Sequence, residues 1–367
     1  MTVFGVVYGM KDLLAQFRLS GSALSCEPYG NGHIHQTFLV ICDDGMQYVL
    51  QRVNTHVFCD PEALMHNIRL VCEHLKARSD SSREALTLVL TKDGATHLMR
   101  DGGCWRVYEA VRDSVCFDRA ETPTHFAESA RTFGRFFNRL SDFEAHLLAE
   151  PIPHFHDTPV RVEALKAAIR DDSAGRVRSA ASEIATALSQ AAFSHTFADL
   201  QAEGELPLRV THNDTKINNV LFDATTLRGL CVVDLDTVMP GLIMNDFGDA
   251  IRFGASTAAE DEPDVERVGI DLVLYEAYLQ GFLSACGGAL MPLELALLPD
   301  GAKMMAYECG IRFLTDYLCG DNYFQIRYPE HNLVRARTQL KLVSDMDAKW
   351  PLMQRITRQA TQAFRHG

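Results

Sequence analysis

The residues best equipped for chemistry fall in one stretch, Val210–Phe222, and in the apolar run just beyond it. His212, Asp214, Lys216 and Asn219 follow the spacing His-x-Asp-x-Lys-x-x-Asn, and Cys231-Val-Val233 runs straight into Asp234. An Asp that orients an attacking hydroxyl, an Asn five residues on that binds magnesium, and a second magnesium-binding Asp after a buried strand are the parts of a phosphoryl-transfer site. In-line transfer needs nucleophile, phosphorus and leaving oxygen held in register, so base and metal ligands must come from one rigid loop and one rigid strand end. In that scheme Asp214 takes the acceptor proton. Lys216 neutralises the transferring phosphoryl group, and Asn219 and Asp234 supply oxygens to Mg2+. His212 reads as a structural residue packed under the loop.

Two neighbouring motifs compete for these roles. Asp246-Phe-Gly248 spells the metal-binding triplet of protein kinases. It follows Pro240-Gly241 and opens a helix, whereas the metal-binding Asp should end the strand that leaves the hairpin. Asp234 meets that test, and Asp246 is expected to cap its helix and brace the loop. Asp236 reads equally as a second metal or substrate contact and as a solvated turn acid. His154-Phe-His156 has a spacing that suits a metal, but it lies among Pro151, Pro153 and Pro159 with no third ligand nearby, so a surface loop is expected.

The elements that must position these residues differ along the chain. After a short helix over residues 10–20, a Gly-rich turn with Gly30, Asn31 and Gly32 leads into apolar strands at 38–42 and 47–53, joined at Asp43-Asp-Gly45. Such a hairpin can cover phosphates with its amides. Asp60-Pro61 starts a helix to about residue 76, whose Leu64, Ile68, Val71 and Leu75 form a packing face and whose Glu62 reads as an exposed first-turn acid. Strands at 86–91, 96–99 and 104–107 complete a five-stranded, mainly antiparallel sheet. Tyr108-Glu-Ala-Val-Arg-Asp113 leaves the last strand and in a two-lobed kinase would be the hinge, its backbone, with Glu109 and Val111, pairing the adenine edge. Beyond Thr122-Pro123 the pattern becomes helical, beginning with a stripe of Phe126, Ala130, Phe133, Phe137 and Leu140. Helices are expected at 159–171, 175–192, 264–285, 293–318, 331–347 and 349–365. The fold class is therefore α+β with two lobes. Residues 1–112 form a small sheet lobe that covers a nucleotide, and 113–367 form a larger helical lobe with the catalytic loop and acceptor site.

Composition narrows the partners. The chain has 367 residues, 47% hydrophobic and 23% charged, enough for a packed core without disorder. A net charge of −13 withholds the positive field that a polynucleotide demands. An anionic nucleotide remains compatible, because a bound cation dominates the local field. Ten scattered cysteines without a Cys-x-x-Cys suit reduced, mostly buried thiols. The N-terminal apolar run lacks a preceding basic residue, and no apolar run approaches the ~18 residues of a membrane helix. A cytoplasmic protein is expected, with no nucleic acid or membrane partner and no obligate protein partner evident.

His212–Asn219 with Val233-Asp-Leu-Asp236 resembles the aminoglycoside phosphotransferase and choline kinase-like superfamily, which implies a bilobal protein-kinase-like fold. Within it, several stretches resemble the N-acetylhexosamine 1-kinases. They are Glu27-Pro-Tyr-Gly-Asn-Gly-His-Ile34, Tyr48-Val-Leu-Gln-Arg-Val-Asn54, Asp234-Leu-Asp-Thr-Val-Met-Pro-Gly241 and Asp246-Phe-Gly-Asp-Ala-Ile-Arg252. Gly310-Ile-Arg-Phe-Leu-Thr-Asp-Tyr317 and Tyr328-Pro-Glu-His-Asn-Leu-Val-Arg-Ala-Arg337 are the more specific ones. The resemblance implies ATP- and Mg2+-dependent phosphorylation of the anomeric hydroxyl of N-acetylglucosamine or N-acetylgalactosamine. It implies Asp214 as base, Asn219 and Asp234 as metal ligands, and Asn31, Thr237, Arg312 and Tyr323 as sugar contacts. One position departs from the kinase pattern. The strand lysine that pairs with nucleotide phosphates is replaced by Gln51, with Arg52 beside it on the opposite face. Either residue is open as the replacement. Another small-molecule kinase of the superfamily (for aminoglycosides, choline, homoserine or other sugars) and a non-catalytic nucleotide-binding pseudokinase are the rival readings.

Overall fold

Residues 10–30 and 34–366 are described by the computed structural model. By packing, the chain forms two compact units. One comprises Met1–Cys116, Asp142–Pro153 and Val220–Met239; the other comprises Phe117–Ser141, His154–Asn219 and Pro240–Gly367. The hairpin that leads to Asp234 belongs with the first unit.

In the first unit, strands β1 (Ala23–Pro28), β2 (Gln36–Cys42), β3 (Gln47–Val53), β4 (Leu88–Val89), β5 (Leu98–Arg100) and β6 (Gly103–Glu109) form one antiparallel sheet. Its order is β1-β2-β3-β6-β4, with β5 also paired to β6. The sixth strand, β1, gives little sequence signal because it is an edge strand in which only Cys26 is buried. Gly45 closes the β2–β3 turn at φ 78°, a conformation that disfavours a Cβ. One face of the sheet packs Phe17, Val40, Leu50 and Val107 into a core. Helix α1 (Pro61–Ala77) is capped by Asp60, whose carboxylate accepts the Ala63 N–H at 3.0 Å, and has Pro61 in its first turn. Leu64, Ile68, Val71 and Leu75 are buried on α1, as the helical spacing predicts. The Asn67 amide on the same helix donates to the carbonyls of Ala149 and Val238, at 2.9 and 3.0 Å, and so ties two later segments into this unit. Strand β7 (Ser114–Val115) and the hairpin β9 (Val220–Asp223) and β10 (Gly229–Val232) form a separate three-stranded sheet.

The second unit is helical. It contains α2 (Pro123–Arg139), α3 (Thr158–Asp171), α4 (Ala181–Ser189), α5 (Thr196–Ala202) and α6 (Ile243–Gly254), then α7 (Leu272–Ala285), α8 (Pro292–Ala296), α9 (Leu298–Leu318), α10 (His331–Ala348) and α11 (Trp350–His366). Strand β8 (Arg209–Thr211) pairs with β11 (Met239–Gly241). The expected helix 293–318 breaks at Leu297 because Pro299, which has no N–H to donate, sits in the first turn of α9. The expected helix 264–285 likewise starts late. Asp271 caps α7 by accepting the N–H groups of Val273 and Leu274. Helices α6 and α9 cross closely enough that a Cβ on Gly248 would meet the Gly301 carbonyl at 2.1 Å. Six of the ten cysteines (26, 42, 72, 104, 231 and 286) are buried. No helix among the described residues is long and apolar enough to cross a membrane.

Candidate active site

Helix α6 holds the backbone of the 212–219 loop. The Asp246 carboxylate accepts the N–H groups of His212 and Asn213 at 2.8 and 2.7 Å, and Asp249 accepts the Thr215 N–H at 3.1 Å. Arg252, one turn on, donates to Asp249. Asp246 therefore braces the loop, but it does not cap its helix, which begins three residues earlier at Ile243. Burial pushes the Asp246 pKa up to about 6, against the pull of His212 and the two N–H donors. His212 is fully buried, edge-on to Phe133 and Phe136 of α2, with Nδ1 accepting the Asp214 N–H at 3.3 Å. Asn213, at φ 64°, turns the chain so that Asp214 leaves the buried layer.

Asp214, Lys216 and Asn219 converge. Lys216 Nζ lies 2.7 Å from Asp214 Oδ1, and Asn219 Nδ2 donates to Asp214 Oδ2 at 3.0 Å. Burial works to raise the Asp214 pKa, but Lys216 and these hydrogen bonds hold it below the ordinary carboxylate value. Lys216 is held charged, as Asp214 and Asp249 overcome the cost of its burial. Asn219 also donates to the Asp214 carbonyl at 2.8 Å. Its amide nitrogen is committed to Asp214, so Oδ1 is the atom suited to ligate a cation.

In the first unit, Asp234 follows β10 in the left-handed region, at φ 62° and ψ 59°, with its side chain exposed. A non-glycine residue there costs about 1 kcal/mol or more and concentrates at functional sites. Asp236 is neither a metal contact in the open nor a solvated turn acid. It is 2% exposed and forms a bidentate pair with Arg106, Nη1–Oδ1 2.6 Å and Nη2–Oδ2 2.7 Å. Burial acts to raise the Asp236 pKa, but Arg106 and His35 drive it far below the ordinary value. His35, Asp234 and Asp236 offer three ligand atoms within 4.8 Å of one another. However, His35 Nδ1 accepts the Asn54 N–H at 3.0 Å, which leaves the ring proton on Nε2, 3.3 Å from Asp236. With that nitrogen protonated, His35 is no ligand. Both Asp236 oxygens are engaged by Arg106, so the Asp234 carboxylate is the donor of this trio suited to a cation, a hard oxygen of the type that fits magnesium.

The strand position that usually carries lysine lies in the same network. The Gln51 side chain donates to Thr37 Oγ1 at 3.1 Å and accepts from Arg106 Nε at 3.0 Å. Arg52 points to the other face, with its guanidinium over the Trp105 ring at 5.8 Å. The buried cation beside Gln51 thus comes from Arg106 on β6, its register partner. The buried face of α1 offers that cation no acid; Glu62 is exposed and lies 3.3 Å from His97. Arg106 carries little sequence signal, because it is a single charge between Trp105 and Val107 in an otherwise apolar strand. Of the nucleotide candidates, Gly30 adopts φ 75°, and Asn31 and Gly32 lie outside the described residues. Glu109 N–H donates to the Thr87 carbonyl at 2.9 Å, and the Val111 carbonyl accepts Ser114 Oγ at 2.6 Å. Thr237 lies in the single helical turn Leu235–Thr237 after Asp234.

Arg312 and Tyr323 meet around Phe324 in the second unit. The Arg312 guanidinium stands 5.6 Å from the Phe155 and Phe324 ring centres, and Tyr323, 66% exposed, is edge-on to Phe324 at 4.8 Å. Asp316 builds the loop that presents Tyr323, since its carboxylate accepts the N–H groups of Asn322, Tyr323 and Phe324 at 2.8–2.9 Å. Asn332 donates to the same carboxylate at 2.9 Å. The two stretches that carry Asp316 and Asn332 thus meet in one scaffold. The 154–156 segment also differs from expectation. The His156 side chain, 9% exposed, sits between Glu308 and the 212–219 loop, while His154 is exposed.

Residues 25–280 match the phosphotransferase enzyme family (APH). Solved structures share the fold across nearly the whole chain. A microcompartment-associated aminopropanol kinase aligns with TM-score 0.57 and 14% identity, covering 95% of this chain and 98% of its own. An aminoglycoside phosphotransferase from Alicyclobacillus acidocaldarius aligns with TM-score 0.56 and 13% identity, covering 96% of both chains. An amicoumacin kinase in complex with AMP-PNP, Ca2+ and Ami aligns with TM-score 0.57 and 12% identity, covering 92% of this chain and 93% of its own. The antiparallel N-terminal sheet and helical C-terminal part are those of their protein-kinase-like fold. The chain belongs to the APH phosphotransferase family and is a kinase of the aminoglycoside phosphotransferase and choline kinase-like superfamily.

Proposed function

We propose that the protein uses ATP to phosphorylate the anomeric hydroxyl of N-acetylhexosamines. The observation that carries phosphoryl transfer is Asp214, held ionised by Lys216 and Asn219 on a loop whose amides are fixed by Asp246 and Asp249. Asp214 orients the acceptor hydroxyl and takes its proton as the bond to phosphorus forms. Lys216 stabilises charge on the transferring group. Asn219 Oδ1 and the Asp234 carboxylate are the groups that would hold Mg2+, which would supply neutralisation of phosphate charge. Gly30 and Gly32 cover the phosphates with backbone amides, Glu109 and Val111 face the adenine, and Gln51 acts through its bond to Arg106.

The acceptor reading rests on Arg312 and Tyr323. A guanidinium flanked by phenylalanine rings, beside an exposed tyrosine, gives a sugar hydrogen-bond donors and an aromatic face. Asn31 and Thr237 complete the proposed sugar contacts. Arg312 also acts with burial to lower the pKa of Arg161, so this corner holds two guanidiniums. Glu308 and Asp157 lie beside these guanidiniums, so the corner offers donors and acceptors to the hydroxyls and amide of an N-acetyl sugar. Intact Asp214, Asn219 and Asp234 argue against a pseudokinase. A screen of ADP release over free sugars, choline, homoserine, ethanolamine and aminoglycosides tests the assignment. Turnover of either N-acetylhexosamine above all others is expected, and preference for an amino alcohol or aminoglycoside would overturn it.

A further inference from the structure

His156 lies in the short segment before α3, and its ring is sandwiched between two acceptors. Nδ1 is 2.8 Å from Glu308 Oε1 and Nε2 is 3.3 Å from the Asn213 carbonyl oxygen. Glu308 is fully buried on α9, and its second oxygen accepts the Thr158 hydroxyl at 2.7 Å. Neither the carboxylate nor the carbonyl brings a hydrogen, so two good bonds need a proton on each ring nitrogen. The groups facing the ring are Glu308 and Arg312 from α9 and Asp246 and Asp249 from α6, three acids against one base. Asn213 holds a left-handed backbone immediately before Asp214, and its N–H is already fixed by Asp246 at 2.7 Å. His156 grips the other side of that residue.

We propose that His156, kept as an imidazolium by Glu308, is a positioning residue for phosphoryl transfer, its Nε2–H fixing the Asn213 carbonyl and thereby the direction of Asp214. The proposal rests on the kinase reading of Asp214. Burial opposes the ring's charge, but Glu308 overrides it and raises the His156 pKa. When the ring loses a proton, the one that stays is on Nδ1, beside the carboxylate. Nε2 then turns a lone pair toward a carbonyl, and the grip on the loop is lost. Activity therefore falls as pH rises through the titration of His156.

Long-range 1H–15N spectra of the histidine rings in the intact protein test the charge state without turnover, so failure of the acceptor assignment is distinguishable from failure of the clamp. The His156 signals are identified by their loss in His156→Gln. Both nitrogens of His156 should be protonated in the wild type at pH 7, and Glu308→Gln should leave one protonated. A singly protonated wild-type ring would overturn the proposal. In kinetics, His156→Gln should lower kcat about 10–100-fold, the scale of a small misplacement of a catalytic group, with KM for ATP nearly unchanged. Glu308→Gln should move the alkaline limb of kcat to lower pH. A limb that stays in place in that variant would also overturn it.

Discussion

Replacing Arg106 by methionine should destabilise the first unit by about 3–5 kcal/mol, the cost of breaking a buried ion pair by removing one partner. The structure supports the upper part of that range. Arg106 and Asp236 are 1% and 2% exposed, so water cannot take the lost partner's place. Two short charge-assisted bonds disappear, at 2.6 and 2.7 Å, along with the 3.0 Å bond to Gln51. Each charge-assisted bond contributes about 1.5–3 kcal/mol. His35, 3.3 Å from Asp236, recovers part of the loss. Lysine at position 106 keeps the charge without the fork and should cost less than methionine. The double variant Arg106→Met with Asp236→Leu removes both charges and should regain most of the stability. Only two tryptophans are present, so Trp350→Phe leaves Trp105, the neighbour of Arg106, as sole fluorescence reporter in urea titrations. A loss below about 1 kcal/mol for Arg106→Met, the scale of an exposed pair, or an additive double variant, would refute the reasoning.

Asp214→Asn should cut kcat by several orders of magnitude while nucleotide affinity, measured by calorimetry, stays nearly constant; a mild effect would remove Asp214 as base. Asp246 has its pKa raised to about 6, so it takes up a proton as pH falls through that value and loses one of its two acceptor oxygens. The pH profile of kcat should show an acid limb near 6 that Asp246→Asn abolishes at a lower constant rate. Gly248→Ala should cost about 1–3 kcal/mol by thermal denaturation, as expected for overpacking, because its Cβ would meet the Gly301 carbonyl at 2.1 Å. Arg312→Ala should raise KM for the sugar more than KM for ATP.

The sequence carried the parts of this account that depend on local spacing. The helical face of α1, the β2–β3 hairpin and the His-x-Asp-x-Lys-x-x-Asn loop follow from periodicity or from a fixed chemical order. Residues whose partners are distant in sequence stayed hidden. Arg106 meets Asp236 across 130 positions, and His156 meets Glu308 across 152. Nothing near either residue marks it as buried, and the prolines around His156 pointed to a surface loop. Asp236 was undecided for the same reason. The edge strand β1 gives little signal because it buries only Cys26, and the break before α9 depends on Pro299 in an otherwise continuous helical pattern.

The oxygen that receives phosphate distinguishes an anomeric kinase from every other sugar kinase. Product made from ATP and N-acetylglucosamine or N-acetylgalactosamine can be examined by proton–phosphorus correlation NMR. A correlation from phosphorus to the anomeric proton is expected. A correlation to the C6 protons instead, or no phosphorylated sugar from either substrate, would contradict it.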